Sequence, residues 1–581
     1  IEFQQETESN VTLEQLQDLL ASEKLKFITI GRFSAEKAHI RLIDAFEEFY
    51  KNHSESCLII IGGRGELYEE TLKYAESCKA EIILIKSMEN PMPVLNKCDL
   101  FMLPSRYEGL GLVLLEADTL GIPVFATDID GPRGFMKEHG GLLVPDDIEG
   151  ILSGINMFVN GKIKPMNAVN NGPVYTDNGD QNLTNLPDFR EANIPFARTH
   201  DSSICYDYGG EHTVDIHNIF TDFDADPYSP ESYDFTLTDI YLGTIMRAGA
   251  KVFYRLGSKI EHWPKHYGIM PPKDYQKWAV VCEHIIMHMN EGWADGYHMG
   301  IEYWEIWNEP DFNDKCWTGT PEEFYDFFAT AAKYLKARFP SLKIGGPAVC
   351  GYNEQWLDAF FEKMREENVP MDFYSWHCYG SKVSDFTSDA RRHRAMLDRH
   401  GYTDTESILN EWNYVCGWSG DGWKRSLETE ASLKGAAFIA AVMSACQREK
   451  TDMLMYYDAR VNSSMNGLFK RGTLDRLKGY YSVKAWGELL SLQDECALSC
   501  DVPDIYSAAA TDGERSMLLV TYYTDDAAPL PRTFKVETGE DRLYTIYILD
   551  EEHDMEPCET IASDGGSFIL TVKPNTVVVI E

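Results

Sequence analysis

The sequence predicts an α/β chain of three parts: a doubly wound (Rossmann-like) domain, a (β/α)8 TIM barrel and a small antiparallel β-sandwich domain. Three observations predict it. Residues 25–145 alternate short runs of Ile, Leu and Val with amphipathic stretches. Eight further strand-and-helix units then fill roughly 300 residues, the usual span of a closed parallel barrel. From about residue 490 the helical period stops and a two-residue alternation takes over.

In the first part the apolar runs are Lys26–Ile30, Leu58–Ile61, Ile82–Ile85, Leu100–Leu103, Val124–Ala126 and Leu142–Val144. Each is short and apolar on both faces, as parallel strands covered by helices are. Leu42, Ile43, Phe46, Phe49 and Tyr50 recur at helical spacing between them. Around Asn160–Asn182 the texture turns to Gly, Asn, Asp and Pro, which marks a boundary. Barrel strands are expected at Asn167–Asn170, Pro195–Arg198, Lys251–Leu256, Tyr303–Trp307, Lys343–Gly346, Met371–Trp376, Ser407–Asn410 and Met453–Tyr456. Gly435–Cys446 is apolar but too short for a membrane span and reads as a buried helix. Ser516–Tyr523, Leu543–Leu549, Ser567–Val572 and Thr576–Ile580 read as strands of the last part. The expected domains are residues 1–160, 161–490 and 491–581.

With 581 residues the chain is too long for one core. Acids outnumber bases 93 to 53, a formal charge of −40. No basic stripe is present for nucleic acid or an anionic membrane. Thirteen cysteines without a C-x2-C pair point to reduced thiols, Cys496 and Cys500 included. Residue 1 is Ile, and the chain reads as excised from something longer. No His, Asp and Glu set has metal-ligand spacing, so neither metal nor cofactor is expected. Arg391-Arg392-His393-Arg394 reads as a solvated helix face.

Barrel enzymes carry reacting groups at the carboxyl ends of their strands. Strand four ends in Trp307-Asn308-Glu309-Pro310, strand six in His377-Cys378-Tyr379, and strand seven in Asn410-Glu411-Trp412. Glu309 and Glu411 stand three βα units apart, which sets them face to face across the barrel mouth. Cleaving a glycosidic bond wants such a pair: one acid protonates the departing oxygen while one carboxylate attacks the sugar carbon. Asn308 suits a sugar 2-hydroxyl. Trp307, Trp376, Trp412, Trp418 and Trp423 cluster around these motifs, and a flat ring suits a sugar's C–H face.

Asn308-Glu309-Pro310 and Asn410-Glu411-Trp412, with Gly345-Gly346-Pro347 between them, resemble the retaining glycosidases of clan A, and among them glycoside hydrolase family 39. The resemblance covers roughly residues 165–581. It implies Glu309 as acid/base and Glu411 as nucleophile, with Asn308, His377, Tyr379, His200, Trp412 and Trp307 at the sugar. It implies a β-xylosidase or related pentosidase. An iduronate substrate would want a fixed cation, for which Arg198 and Arg255 stand near strand ends.

In the first domain Gly31-Arg32 through Lys37 follows strand one, and Glu108 and Glu116 lie eight residues apart around Gly111. Together with Ser105-Arg106-Tyr107-Glu108-Gly109 and Gly121-Ile122-Pro123-Val124 they resemble the donor-binding half of glycosyltransferase family 4, half of a GT-B fold. The resemblance implies Arg32 and Lys37 at a diphosphate, Glu108 near the donor sugar and Glu116 at the ribose. Where that family has Gly after the lysine, this chain has Ala38, and the acceptor-binding half is absent. The expected partners are a glycoside and, at this domain, a nucleotide-sugar. Reduced thiols and such a domain point to the cytoplasm, although polymer-degrading relatives are often exported. Two alternatives stay open: a sugar-nucleotide-dependent transferase active in a longer parent chain, and a carbohydrate-binding protein without turnover.

Overall fold

A computed structural model of the protein describes residues 9–581 apart from 23, 52, 64, 110, 179–180, 202–212, 263, 497, 527 and 540. The chain divides into two compact units. One runs up to Lys162 and takes in a short segment from Asp494; the other comprises Ile163–Gln493 and Leu498–Glu581.

The first unit is a six-stranded parallel sheet of Leu25–Ile30, Ser56–Ile61, Ile82–Ile85, Leu100–Leu103, Val124–Thr127 and Leu142–Val144, in the order 3-2-1-4-5-6. Alternate residues feed two separate cores. Ile28, Ile59 and Ile61 belong to one, and Phe27, Leu58 and Ile60 to the other. Helices cover both faces, so the strands read as continuous apolar runs. The order reverses between strands one and four, and ligands of such sheets bind outside the carboxyl ends at that switch point.

In the second unit eight parallel strands close in chain order. They are Ala168–Asn170, Phe196–Thr199, Lys251–Leu256, Tyr303–Ile306, Lys343–Val349, Phe373–Gly380, Glu406–Tyr414 and Met453–Tyr456. Ala168, Phe253, Tyr303, Phe373, Ile408, Met453 and Met455 form a buried cluster of their own, drawn from six of the eight strands. Helix Leu433–Gln447 is buried along nearly its whole length. Strands six and seven run further than the sequence pattern predicts, so His377, Tyr379 and Glu411 stand on strands and not in loops.

The C-terminal part is a sandwich of two antiparallel sheets. The larger holds Ile505–Thr511, Ser516–Tyr522, Thr576–Ile580, Leu543–Leu549 and Asp554–Ala562; the smaller pairs Arg532–Glu537 with Ser567–Val572. Val520, Tyr522, Val536, Phe568 and Leu570 fill the space between. Its strands pack on the barrel's outer layer, where the Tyr523 hydroxyl donates to Ser381 O at 2.6 Å. The barrel and this sandwich together make up the second compact unit.

Candidate active site

Alternation along a strand sends neighbours to opposite faces. Strand seven breaks that rule at one point. Trp376 of strand six pairs with Leu409, and the next residue, His377, pairs with Glu411, leaving Asn410 as an extra residue. This β-bulge turns Asn410 and Glu411 to the same side, the barrel axis, where bulges beside active sites re-aim side chains. Strand four carries a matching irregularity. Trp307 and Glu309 take positive φ values of 75° and 48°. For non-glycine residues that conformation is strained, and such strain collects at functional sites. The Glu309 N–H donates to Ala348 O at 2.8 Å, which fixes the turn. Strand five approaches closely here: a Cβ on Gly346, at φ 134°, would lie 2.7 Å from Ile306 O.

Below the pair lies a fully buried polar layer. Arg198 donates from Nε to Glu305 Oε2 at 2.7 Å, from Nη1 to Glu411 Oε1 at 2.7 Å, and from Nη2 to Asn308 Oδ1 at 2.6 Å. Asn170 Oδ1 also accepts from Nη1 at 3.0 Å. Glu305 accepts further from Ser375 Oγ at 2.6 Å and from Asn410 Nδ2. Burying ions this deeply is costly unless each is paired and hydrogen-bonded, as these are. The network holds Glu411 from below, and the Tyr379 hydroxyl donates to its other oxygen at 2.9 Å.

The two glutamates differ in setting. His377 Nδ1 lies 2.7 Å from Glu309 Oε1 and 3.5 Å from Glu411 Oε2. Cys316 Sγ is 3.7 Å from Glu309 Oε2. Burial pushes the Glu309 carboxyl above the ordinary glutamate range, while His200 and Arg198 pull it the other way. Burial also drives His377 down to about 4 although Glu411 opposes it, so the imidazole is neutral at neutral pH. Two residues beyond Glu309, burial lifts Asp311 to about 7. Oxygens of Glu309 and Glu411 and the His377 nitrogen all lie within 4.8 Å of one another. That set has a metal-ligand shape which positions 309, 377 and 411 hide in sequence.

The structure brings Asn308, Glu309, His377, Tyr379 and Glu411 together. His200 is beside them, its Nε2 3.6 Å from Glu411 Oε1, beyond hydrogen-bond length. Two tryptophans stand elsewhere. Trp307 is 1% exposed, packs on Trp278, Trp317 and Phe327, and donates to Cys316 O. Trp412 is 0% exposed among Phe386, Phe438 and Tyr456. Trp412 alternates with the inward Glu411, and Trp307 leaves its strand at a positive φ; both rings lie in the core outside the barrel, so neither presents a face to a sugar. Arg198 and Arg255 are likewise fully buried, and Arg255 pairs with Asp215 at 2.6 Å, so neither is a cation waiting for an iduronate. The buried network Arg198 belongs to carries a signal: Asn170, Glu305, Ser375 and Asn410 are polar residues inside strands that otherwise alternate apolar side chains.

At the sheet's switch point in the first unit, Lys37 Nζ forms a short ion pair with Glu108, which also accepts from Ser105 Oγ at 3.3 Å. Arg32 is 68% exposed, 3.5 Å from Glu36, and Glu116 is exposed on helix Leu112–Thr119. Ala38 stands in the left-handed region, φ 51° and ψ 39°.

Paired carboxylates thus stand at the carboxyl ends of strands four and seven of a closed parallel barrel, preceded in the chain by a Rossmann-like domain. The chain carries a domain of "Glycosyl transferases group 1" over residues 12–174 and one of "Glycosyl hydrolases family 39" over residues 197–456. It is similar to β-xylosidases of Geobacillus stearothermophilus (27% identical over 180 residues, 28% of this chain and 34% of that one) and Caldicellulosiruptor saccharolyticus (28% over 173 residues, 28% and 35%). It is also similar to an Escherichia coli UDP-Gal:alpha-D-GlcNAc-diphosphoundecaprenol alpha-1,3-galactosyltransferase (29% over 145 residues, 24% and 35%). The matches span about a third of the length of these relatives. Among solved structures, a glucosidase from Croceicoccus marinus shares the fold at TM-score 0.59 and 23% identity, covering 72% of this chain and 96% of that one. A monomeric β-xylosidase from Caulobacter crescentus does so at TM-score 0.52 and 15% identity, covering 72% and 96%. No helix among the described residues is long and apolar enough to cross a membrane.

Proposed function

We propose that the barrel hydrolyses terminal glycosidic bonds with retention of configuration, acting on β-xylosides or related pentosides. One observation carries the reading: Glu309 and Glu411 each bring a carboxyl oxygen within 4.8 Å of the other's, in unlike surroundings. Retaining pairs lie about 5–5.5 Å apart, whereas inverting pairs leave about 6.5–9.5 Å for a water. Glu411, gripped on both oxygens by Arg198 and Tyr379, attacks the anomeric carbon. Glu309, whose burial favours the protonated form, gives its proton to the departing oxygen. The glycosyl–Glu411 ester then forms, and Glu309, now a carboxylate, takes a proton from the water that opens it. His377, neutral and 2.7 Å from Glu309, holds that carboxyl in place without adding charge. The likeness to two β-xylosidases supports the choice of sugar. A panel of aryl glycosides followed by NMR of the first-formed product tests both points. The β-xyloside should be cleaved with the β-anomer released first. An α-anomer, or no cleavage of any glycoside, would refute the reading.

For the first domain we infer a nucleotide-sugar site at the switch point, with Arg32 and Lys37 at the diphosphate, Glu108 at the sugar and Glu116 at the ribose. Its support is the strand order together with Gly111, at φ 58°, capping helix Leu112–Thr119 where phosphate is favoured. Calorimetric titration of the full chain with UDP- and GDP-sugars should give heat that Lys37→Met removes.

A further inference from the structure

The tryptophans around the site divide sharply. Trp304, Trp307, Trp376 and Trp412 are fully buried, whereas Trp418 is 61% exposed. It lies in the loop after strand seven, seven residues beyond the proposed nucleophile. Its ring meets the Tyr379 ring edge-on at 5.1 Å, and the Tyr379 hydroxyl donates to Glu411. On another side it stacks on Trp423, with centroids 5.7 Å apart and planes within 18°. The exposed ring is thus continuous with the catalytic carboxylate through one side chain.

The loop is also held still. The Cys416 N–H donates to Ser426 Oγ at 2.9 Å, and that hydroxyl donates to Gly422 O at 2.9 Å. Gly417 and Gly422 approach so closely that a Cβ on Gly417 would sit 3.0 Å from Gly422 Cα. A lone exposed apolar side chain needs no explanation. A large ring kept in water by a pinned loop, backed by a second indole and abutting the nucleophile's hydrogen-bond donor, does need one. Its surface is flat, apolar and rigid, and the saturated C–H face of a sugar ring matches it.

We propose that Trp418, backed by Trp423, is a stacking platform for a pyranose ring of the substrate beside Glu411. The inference rests on the glycosidase reading. The ring it holds belongs either to the sugar under attack or to the sugar that departs, and the two are separable by experiment. Trp418→Ala and Trp418→Phe would be compared with wild type on a 4-nitrophenyl monoglycoside and on the β-linked disaccharide of the same sugar. Trp418→Ala should lower kcat/KM by up to about 10-fold, the scale of one aromatic contact, mainly through KM, with Phe recovering part of it. Loss on both substrates places the attacked sugar on the ring; loss on the disaccharide alone places the departing one there. Unchanged values on both, with an unchanged melting temperature, overturn the platform. If the wild type cleaves neither substrate, the glycosidase reading fails, and calorimetric titration with the disaccharide decides the platform alone. Binding that weakens in Trp418→Ala, by up to about 10-fold, upholds it, and equal binding or none overturns it.

Discussion

The two candidate sites use the same residue types in opposite ways. In the barrel, Arg198 is fully buried and shared among Glu305, Glu411, Asn170 and Asn308. In the first domain, Lys37 and Glu108 keep 15% and 16% of their side-chain surface and satisfy chiefly each other, while Arg32 lies in solvent. A buried network fixes its geometry before substrate arrives, which is what a short-lived charged transition state requires. A pair at a rim can open and let each partner turn to a ligand.

The largest effects test the barrel half of this comparison. Glu411→Ala should reduce hydrolysis of every glycoside to background. Glu309→Gln should slow glycosides with poor leaving groups by about 10²–10⁴-fold, the range of one general acid, and spare activated aryl glycosides. Equal losses on both leaving groups would mean that Glu309 is not the acid. Because its pKa is raised, wild-type kcat/KM should hold above the ordinary carboxylate range and fall as pH rises through the Glu309 value.

Next in size is stability. Arg198→Met strands two buried carboxylates and should destabilise the second unit by about 3–5 kcal/mol, the cost of breaking a buried pair. Lys37→Met leaves Glu108, which keeps 16% of its side-chain surface in solvent, and should cost the first unit less, about 1–2 kcal/mol. Chemical denaturation followed at two probes, one per unit, checks both. Similar costs would erase the distinction drawn above.

A third measurement uses a buried acid with no catalytic part. Glu430 ends helix Gly420–Glu430, and both its carboxyl oxygens lack a hydrogen-bond partner among the described residues. Burial, with Asp458 adding, raises it to about 9. A raised acid stabilises fully below its unfolded value and loses that contribution as pH climbs toward the folded one. Wild type should therefore lose stability from about pH 5 to pH 9, by up to about 1.4 kcal/mol per pH unit, relative to Glu430→Gln. Parallel pH profiles would show that Glu430 already ionises at low pH.

Most of the architecture was legible because the apolar patterns are strong. All six strands of the first sheet fall where short apolar runs stand, and all eight of the barrel overlap the stretches expected as strands. In the C-terminal sandwich the strands missed, Ile505–Thr511, Arg532–Glu537 and Asp554–Ala562, are Ala-rich or exposed. Within the barrel, the motifs at positions 309 and 411 were visible, but orientation was not. Trp412 follows Glu411 directly, and only the bulge at Asn410 decides which of them faces the axis. The run at 391–394 misleads for a similar reason. His393 bonds Tyr374 and lies on Trp376, and Arg394 is tied to Tyr402 O and Thr405 O, so half of that supposedly solvated face is buried.

The smallest effect concerns Ala38, where the pattern of the first domain departs from a glycine. Its left-handed backbone lets the chain leave the turn Ala35–Lys37 and enter helix His39–Tyr50 at once. A Cβ in that conformation costs about 1–2 kcal/mol, while glycine gives back about 0.5–1 kcal/mol in chain entropy. Ala38→Gly should therefore stabilise the first unit by about 1 kcal/mol or less, raising its melting temperature by a few degrees at most. Differential scanning calorimetry of the full chain should show the transition of that unit move while the barrel's stays. If the nucleotide-sugar site is real, the variant should bind its donor no worse, because the substitution removes strain and no contact. A melting temperature that falls would mean the methyl group packs well enough to outweigh its own backbone strain.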